Sequence, residues 1–231
     1  MTTQTRITMP PPVRPARLIA PPGVYAPQYD TELLTRALHR EGIGEGSSVL
    51  DLGTGTGALA VAAARRGARV AAVDISWRAV LAARFNARLA GQKVTVRHGD
   101  LTAAAPEGPY DLVLSNPPYV PSPSPFLPRR GAARAWDGGP AGRAVVDRVC
   151  DAAPRALRPG GVLLMVHSGL CGVDATLDRL TSLGMDAKVT AREFIPLGPV
   201  LRSRRAWLRR RNLLGDDESL EELVVIRAEL R

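Results

Sequence analysis

A glycine-rich turn between a short apolar strand and a helix constrains the fold of this chain more than any other feature. The sequence Ser-Val-Leu-Asp-Leu at 48–52 predicts a buried strand, and Gly53, Gly55 and Gly57 follow it. Small residues at 58–65 then predict a helix. Glycines let the chain turn tightly after a strand, let a ligand approach the backbone and present a helix N-terminus to a polar group. The stretch therefore predicts a strand–turn–helix unit of an α/β sheet with a ligand above it.

Strands and helices alternate along the chain from about position 48 to 195. This alternation predicts an α/β fold with a mainly parallel sheet and helices on both faces. Two strands close the chain, at about 186–195 and 221–230, and we expect one antiparallel strand in this part. Ligands of such sheets bind beyond the carboxyl ends of the strands, so polar side chains at those ends are the candidate site residues.

Length and composition favour one globular domain with a short leader. The 231 residues suit a single α/β domain at positions 23–231, and the proline-rich positions 1–22 predict an extended leader. No apolar stretch reaches the roughly 18 residues of a membrane span and no signal peptide is recognisable, so we expect a cytoplasmic protein without a membrane contact. The net charge of +9 favours encounters with nucleic acid or another acidic partner.

The cysteine and histidine content argues against a metal site and against a disulfide framework. Cys150 and Cys171 lack the spacing of metal ligands, and the three histidines are scattered along the chain. We interpret both cysteines as small buried residues of the core. No metal is therefore expected.

A second informative stretch follows the predicted strand at 110–114. Its sequence is Ser-Asn-Pro-Pro-Tyr at 115–119, and two consecutive prolines make a stiff turn whose carbonyl groups no neighbouring strand can bind. The residue before a proline is extended, which places Asn116 at the end of the strand, with Tyr119 shortly after it. An amide and an aromatic ring held rigidly could bind a flat –NH2 group. The alternative is a proline-rich loop with a solvated asparagine.

Carboxylates lie at or near the ends of three predicted strands. Asp51 precedes the glycine turn, and Asp100 follows the third strand. Asp74 ends the second strand, at the spacing of about 20 residues at which an acid binds ribose hydroxyl groups. Asp100 could accept a hydrogen bond from an adenine amine beside Leu101, although a plain turn residue would look the same. A negative charge at Asp51 suits an ammonium group and would repel a pyrophosphate.

The spacing of the glycines narrows the choice of ligand further. The pattern Gly-x-Gly-x-Gly differs from the Gly-x-Gly-x-x-Gly of dinucleotide sites, and the chain has no Gly-x-x-x-x-Gly-Lys-Ser/Thr motif for phosphates. S-Adenosylmethionine carries an ammonium, a sulfonium and a ribose diol, and it fits these residues better. A generic strand–helix turn, a nicotinamide-dependent oxidoreductase and a non-catalytic cofactor-binding module are the alternatives.

The chain resembles a known family at two signatures, Asp-Leu-Gly-Thr-Gly-Thr-Gly at 51–57 and Asn-Pro-Pro-Tyr at 116–119. It looks like a class I S-adenosylmethionine-dependent methyltransferase, and within that class it is similar to the HemK/PrmC-like release-factor glutamine methyltransferases. The likeness is greatest to the short eukaryotic and archaeal branch, through residues 24–34 and 135–148, and it spans about 23–230. The resemblance implies a Rossmann-like sheet of seven strands.

The same resemblance implies roles for individual residues. Asn116 and the carbonyl group of Pro117 would accept both hydrogens of the substrate –NH2 group, and Tyr119 would flank that group. The residues implied to hold the cofactor are Tyr25, Thr31, Asp51, Gly53, Gly55, Asp74, Asp100, Leu101 and Asn116. The implied acceptor is the glutamine of a Gly-Gly-Gln loop in a release factor. An adenine amine of RNA or DNA and a small-molecule amine are the alternative acceptors.

Three further parts of the chain could contact a partner or a substrate. The short relatives act with a small zinc-binding activator subunit, and the predicted strand at 93–98 has the half-apolar pattern to which an added strand could pair, as any ordinary edge strand has. The basic segment 202–211 could touch RNA phosphates or form a solvated helix with Trp207 turned inward. Trp136, in the loop at 120–139, could line a substrate channel or anchor the loop.

Three predictions concern the ends of elements. Asp30 is expected to cap a helix that starts at Thr31. Pro140 suits the first turn of a later helix. The sequence Arg-Pro-Gly-Gly at 158–161 predicts a sharp turn before the next buried strand.

Overall fold

The computed structural model of the protein describes residues 18–106 and 108–231. In this part of the chain, seven strands form one sheet, accompanied by α-helices and short 3-10 helices. The strands are β1 Ser48–Leu52, β2 Arg69–Asp74, β3 Val94–His98, β4 Tyr110–Ser115, β5 Leu157–Ser168, β6 Met185–Pro196 and β7 Leu220–Leu230. The α-helices are α1 Tyr29–Leu38, α2 Ala58–Ala64, α3 Trp77–Leu89, α4 Val146–Ala156, α5 Val173–Ser182, α6 Pro199–Ser203 and α7 Arg205–Arg210. The 3-10 helices are Leu101–Ala104, Ala132–Ala135 and Gly169–Cys171.

The order of strands in the sheet is β3-β2-β1-β4-β5-β7-β6. All pairs from β3 to β5 are parallel, whereas β7 runs antiparallel between β5 and β6. The prediction of a mostly parallel, seven-stranded, Rossmann-like sheet with one antiparallel strand is confirmed. Of the predicted leader, positions 1–17 lie outside the described residues, and the division at position 22 stays a prediction. Among the helices described, none is long and apolar enough to cross a bilayer.

The register of the parallel strands brings their carboxyl ends to one edge of the sheet. Leu52, the last residue of β1, pairs with Val73 of β2 and with Ser115 of β4. Asp74 pairs with His98 at the end of β3. The turns that follow these strands therefore begin side by side.

Aliphatic side chains fill the core, as expected for strands of a parallel sheet that helices cover. Gly57 is required where α2 approaches α3, because a Cβ atom there would lie 3.1 Å from the Cα and Cβ atoms of Ala83. Cys150 and Cys171 are buried, and burial raises the pKa of each thiol to about 12, in agreement with a core position. The largest fully buried side chains are Leu34, Leu38, Leu50, Leu52, Leu112, Leu114, Leu163, Leu164, Met165, Leu180, Met185 and Leu208.

A smaller apolar cluster lies at the segment between β6 and β7. The predicted basic helix consists of two short helices, α6 and α7, with Arg204 between them. Trp207 is partly buried and packs on the cluster, in agreement with a solvated helix whose tryptophan turns inward. The buried residues of the cluster are Leu197, Leu201, Leu208 and Leu214.

The three predictions about element ends need correction. α1 begins at Tyr29, so Asp30 lies within the first turn and is not the cap. The predicted turn at 158–161 lies within β5, because the ladder with β4 shifts its register there and then continues. α4 begins at Val146, since the backbone shortly after Pro140 takes a left-handed conformation that a helix cannot continue.

The glycine at position 142 allows a close approach behind the Asn-Pro-Pro-Tyr turn. Gly142 has a φ of +71°, and a Cβ atom there would fall on the carbonyl oxygen of Tyr119 and 2.8 Å from Cys171 Sγ. We expect Gly142→Ala to lower the free energy of unfolding by about 2–4 kcal/mol, through left-handed strain and overpacking together. Urea denaturation followed by circular dichroism measures the loss.

Gly91→Ala is the matched control for this substitution. Gly91 follows α3 with a φ of +68°, but a Cβ atom there would meet no atom within 4 Å. The loss of unfolding free energy in this control should stay near the roughly 1–2 kcal/mol of left-handed backbone strain alone. Equal losses in the two variants would contradict the close packing behind Tyr119.

Candidate active site

A cavity of about 1480 Å³ lies beyond the carboxyl ends of the parallel strands. Its wall combines the upstream segment at 23–31, the glycine turn, the end of β2, the Asn-Pro-Pro-Tyr turn and the end of β6. The structure brings every predicted site residue except Asp51 into this wall. These lining residues are Tyr25, Thr31, Gly53, Gly55, Asp74, Asp100, Leu101, Asn116, Pro117 and Tyr119.

The glycine turn leaves its inner side open to the cavity. Gly53 and Gly55 have φ values of +74° and +55°, which residues with side chains rarely adopt. A Cβ atom at either position would meet no protein atom within 4 Å. The amide of Gly55 donates to Asp74 Oδ2 at 2.9 Å, which fixes the turn against the end of β2. The open side of the turn has room for a ligand that approaches the backbone.

Asp51 lies beneath the glycine turn, outside the cavity wall. Its side chain is fully buried, and its Oδ2 accepts hydrogen bonds from Thr54 Oγ1 at 2.6 Å and from the amide of Ala60 at 3.2 Å. Its Oδ1 has no hydrogen-bond partner among the described residues. Burial is the largest cause that raises the pKa of Asp51 to about 7. Asp51 thus ties the turn to α2, and its direct contact with an ammonium group stays a prediction.

Asp74 faces the cavity at the end of β2. Besides the amide of Gly55, the amide of Ser76 donates to this carboxylate, to Oδ1 at 2.8 Å. Burial raises the pKa of Asp74, and the two backbone hydrogen bonds oppose that rise. Because each carboxylate oxygen has a second lone pair, Asp74 can still accept hydrogens from two neighbouring hydroxyl groups of a ligand.

Asp100 and Leu101 lie in the cavity wall beyond β3. Asp100 Oδ2 forms an ion pair with Arg148 Nη2 at 2.6 Å, so the plain-turn interpretation does not describe it fully. Leu101 has a φ of +44°, a left-handed conformation that costs about 1–2 kcal/mol for a residue with a side chain. Such strained residues persist where the surrounding structure fixes them, and they cluster at ligand sites.

Two apolar residues after Asp74 line the cavity without being among the predicted site residues. Ile75 has 43% of its surface exposed, and Trp77 stacks on His98 with the ring centroids 4.1 Å apart. A flat apolar ring placed here would cover the exposed surface of Ile75, which is favourable. Their position directly after a strand-end carboxylate is the signal by which sequence reasoning could have found them.

Asn116 follows β4 and contacts α1. Its Nδ2 donates to Thr31 Oγ1 at 3.4 Å. With the amide nitrogen turned to Thr31, the amide oxygen is the part of Asn116 that can accept a hydrogen from a bound group. The contact also connects the Asn-Pro-Pro-Tyr turn with the start of α1, two segments that lie far apart in the sequence.

Asp30 accepts hydrogen bonds from two tyrosines and from its own neighbour. Its Oδ2 accepts from Tyr25 OH at 2.9 Å and from Tyr119 OH at 3.1 Å. Its Oδ1 accepts from the amide and the hydroxyl group of Thr31, at 2.6 and 3.2 Å. Burial first, and the charge of Asp30 next, raise the pKa of both tyrosines, which therefore stay protonated donors. Asp30 thus holds the upstream segment against the Asn-Pro-Pro-Tyr turn. The prediction that Asp30 caps a helix did not include this role.

Glu221 is a second buried carboxylate of the cavity wall and was not predicted as a site residue. It lies near the start of β7, is 6% exposed and pairs in the ladder with Ile195 of β6. Burial is the main cause that raises the pKa of Glu221 to about 7. The sequence carries no local signal that singles it out, because the closing strand also contains Glu222, Arg227 and Glu229.

The loop at 120–139 is fastened beside the Asn-Pro-Pro-Tyr turn. The amide of Val120 donates to the carbonyl oxygen of Trp136 at 2.7 Å. Asp137 forms an ion pair with Arg204 at 2.6 Å, which joins this loop to the segment between β6 and β7. Because Trp136 lines the cavity and its carbonyl group holds the loop, its position is compatible with both predicted roles.

The strand order and the site together define the class of protein. A glycine turn after β1, a carboxylate at the end of β2 and an Asn-Pro-Pro-Tyr turn after β4 surround one cavity. This is the arrangement expected of a Rossmann-like, S-adenosylmethionine-dependent methyltransferase, with the donor seated beyond the carboxyl ends of the strands.

Comparisons with known proteins agree with this class. Residues 16–124 match the family model described as the methyltransferase small domain. A provisionally named protein N5-glutamine methyltransferase of Methanocaldococcus jannaschii is 34% identical over 176 residues, which are 76% of this chain and 87% of the relative. The release factor glutamine methyltransferase of Mycolicibacterium smegmatis is 40% identical over 187 residues, and the match spans 77% of this chain and 66% of that protein.

A solved structure shows the same likeness. The E. cuniculi Mtq2–Trm112 complex, described as responsible for methylation of the eRF1 translation termination factor, contains a chain that matches with a TM-score of 0.63 and 26% identity. The match covers 90% of this chain and 99% of the other. The chain therefore belongs to the family of S-adenosylmethionine-dependent protein glutamine methyltransferases. This membership argues against the nicotinamide-dependent alternative.

Replacing Asp74 tests the cofactor end of the cavity. We expect Asp74→Asn to weaken S-adenosylmethionine binding by about 10–100-fold, because the amide retains the shape but loses charged hydrogen-bond acceptors. Isothermal titration calorimetry measures the dissociation constant. Asp111→Asn is the control, because Asp111 lies at the amino ends of the strands, away from the cavity. There it accepts from the amide of Ser48 at 2.7 Å and from Arg158. Equal affinities for the two variants would contradict the role of Asp74.

Proposed function

We propose that this chain methylates the side-chain nitrogen of a glutamine in a peptide chain release factor, in the cytoplasm. The bacterial relative is named a release factor glutamine methyltransferase, and the E. cuniculi complex is described as methylating eRF1. The observation that carries the proposal is that the Asn-Pro-Pro-Tyr turn and the glycine turn face one cavity. A donor and a planar amide could therefore meet in it.

The residues of the cavity fit S-adenosylmethionine, and we assign its parts to them. When bound, it supplies an electrophilic methyl group on a sulfonium. Asp74 would accept hydrogens from the ribose hydroxyl groups, and Asp100 and Leu101 would contact the adenine. Tyr25 and Thr31 would close over the methionine end, beside the open backbone of the glycine turn.

The acceptor end of the cavity would activate a poor nucleophile. An amide nitrogen reacts slowly because its lone pair is delocalised into the carbonyl group. Asn116 Oδ1 and the carbonyl oxygen of Pro117 would each accept one hydrogen of the –NH2 group, which turns the lone pair toward the methyl group. The same two oxygens would stabilise the positive charge that develops on the nitrogen.

Tyr119 would flank the acceptor group as a rigid wall. Its hydroxyl group is held by Asp30 at 3.1 Å, and its carbonyl oxygen accepts from Cys171 Sγ at 3.2 Å. Such anchoring reduces the freedom that the site must lose when it binds an acceptor. An adenine amine is also planar and arginines line the rim of the cavity, so RNA is the competing acceptor to test.

We also propose that a small activator subunit binds along β3 and α3. The similar E. cuniculi chain was solved in a complex with Trm112. β3 is an edge strand, and the neighbouring α3 exposes an apolar row at a spacing of four residues. An unpaired strand edge beside an exposed apolar helix face suits a partner that adds a strand and covers the helix. The row consists of Trp77, Leu81, Phe85 and Leu89.

Asn116→Ala tests the acceptor end. We expect methyl transfer to fall by about 100-fold or more, because one fixed acceptor of the –NH2 hydrogens is lost. S-Adenosylmethionine affinity should change little. Transfer of radioactive methyl groups to a purified release factor measures the rate, and calorimetry measures the affinity.

The control is Gln92→Ala, which removes a side-chain amide just before β3. Gln92 lies at the amino ends of the parallel strands, away from the cavity, so the rate should be unchanged. A release factor whose Gly-Gly-Gln glutamine is replaced by asparagine, and total RNA, serve as acceptor controls. Near-full activity of Asn116→Ala would remove Asn116 from the chemistry. Label in RNA and none in the release factor would overturn the proposed acceptor.

The double substitution Leu81→Glu with Phe85→Glu tests the activator surface. These side chains are 61% and 49% exposed, so charges there should leave the fold intact. We expect binding of purified Trm112 to weaken by about 30-fold or more, the size of effect typical of central apolar contacts. Sedimentation velocity measures the complex. Phe126→Glu, in a loop and 80% exposed, is the control and should not weaken binding. A wild-type chain that binds no Trm112 and is fully active alone would contradict the proposal.

A further inference from the structure

We propose that Glu221 is a further catalytic residue, the base that accepts the proton released by the acceptor nitrogen on methylation. The inference rests on the proposed function and adds a residue to the same site. Glu221 has no part in the binding of the cofactor or in the contacts assigned to the acceptor.

The position of Glu221 follows from the direction of β7. Because β7 is antiparallel to β5, its first residues lie beside the carboxyl ends of the parallel strands. Glu221 therefore lies on the cavity side of the sheet's strand ends and lines the cavity together with Asn116 and Tyr119. A residue at the start of any parallel strand would lie at the amino ends of these strands, away from the cavity.

Glu221 is buried, and its carboxylate is incompletely hydrogen-bonded. The residue is 6% exposed, and the hydroxyl group of Ser168, at the end of β5, opposes the rise of its pKa. Its Oε1 is buried and has no hydrogen-bond partner among the residues that the structure describes. A buried, unpaired carboxylate oxygen costs free energy, so its retention in a cavity indicates a ligand or a proton as its partner.

The reaction needs a place for one proton. As the acceptor nitrogen forms its bond to the methyl carbon, the carbon–sulfur bond breaks and sulfur keeps the bonding pair. The nitrogen then carries a positive charge and its two original hydrogens. One hydrogen leaves as a proton to Glu221, and the bonding pair returns to nitrogen, giving the neutral N-methyl amide. Glu221 later releases the proton to solvent, and no oxidant or reductant is involved.

The groups around Glu221 favour proton uptake. Asp30 faces it from α1 with a like charge, and Tyr25, Tyr119 and Cys171 face it as neutral groups whose own pKa values burial has raised. Burial and Asp30 together raise the pKa of Glu221 to about 7, near the pH at which a base works best.

The neighbouring carboxylate is less suited to the same task. Both oxygens of Asp30 already accept hydrogen bonds from Tyr25, Tyr119 and Thr31. Protonation of Asp30 would therefore disturb the anchor of the turn. Glu221 can take up a proton without breaking these bonds.

The experiment is the pH dependence of kcat for methylation of a release factor, from about pH 5.5 to 9. Because Glu221 must be ionised to accept a proton, kcat of the wild type should rise about tenfold per pH unit below about pH 7 and level off above it. Glu221→Gln should lower kcat at about pH 8 by about 100-fold or more and flatten the profile. KM and S-adenosylmethionine affinity should stay nearly constant.

Two further variants separate chemistry from structure. Glu221→Asp keeps a carboxylate and should restore part of kcat and the rising limb. Glu222→Gln changes the next residue, which pairs with Arg192 at 2.6 Å, and should behave like the wild type. A carboxylate titration by NMR on glutamate-labelled protein, compared with Glu221→Gln, should identify one group that titrates near pH 7, independently of activity.

The outcomes distinguish this inference from the proposed function. A wild type that methylates another acceptor in place of the release factor refutes the proposed acceptor, and the same profiles are then measured with the acceptor that is labelled. A Glu221→Gln variant that keeps the wild-type rate and rising limb, or a Glu221 carboxylate that titrates near the ordinary pKa of a glutamate, overturns the role of Glu221 with either acceptor.

Discussion

The site depends on one buried carboxylate that joins two distant parts of the chain. Asp30 is 3% exposed, and a charge so deeply buried is tolerated only when donors surround it. Tyr25 and Thr31 supply such donors from the upstream segment, and Tyr119 supplies one from the turn after β4. This carboxylate therefore holds the upstream segment against the turn, so the two sides of the cavity share one buried charge.

The antiparallel strand completes what the parallel strands begin. Parallel strands with crossover helices present only the residues after their carboxyl ends to the cavity. β7 enters from the other direction, which brings Glu221 and the preceding segment into the wall. The ion pair between Arg204 and Asp137 then fastens that segment to the loop beyond the turn. The last strand thus contributes both a buried carboxylate and part of the cavity wall.

Local sequence patterns were sufficient to predict those strands and candidate residues that a few neighbouring residues specify. The strand before Gly53, the carboxylate Asp74 and the position of Asn116 each follow from a few neighbouring residues, and the fold followed from their alternation. Asp30 and Glu221 could not be predicted in this way. The partner of Asp30 at Tyr119 is 89 positions away, and the burial of Glu221 depends on the direction of a strand that no local pattern specifies.

A single buried amide connects the cofactor site with the exposed outer helix. Asn86 of α3 donates from Nδ2 to the carbonyl oxygen of Thr56, in the glycine turn, and to that of Ile19, at 2.9 Å each. Its Oδ1 accepts from the amide of Ile19 at 2.8 Å. Phe85, in the exposed apolar row, is its neighbour on the helix. A subunit that covered this row would restrict the motion of α3 and, through Asn86, that of the glycine turn. The physical route from such a subunit to the glycine turn would be short, because one side chain of α3 holds both the turn and the backbone of Ile19.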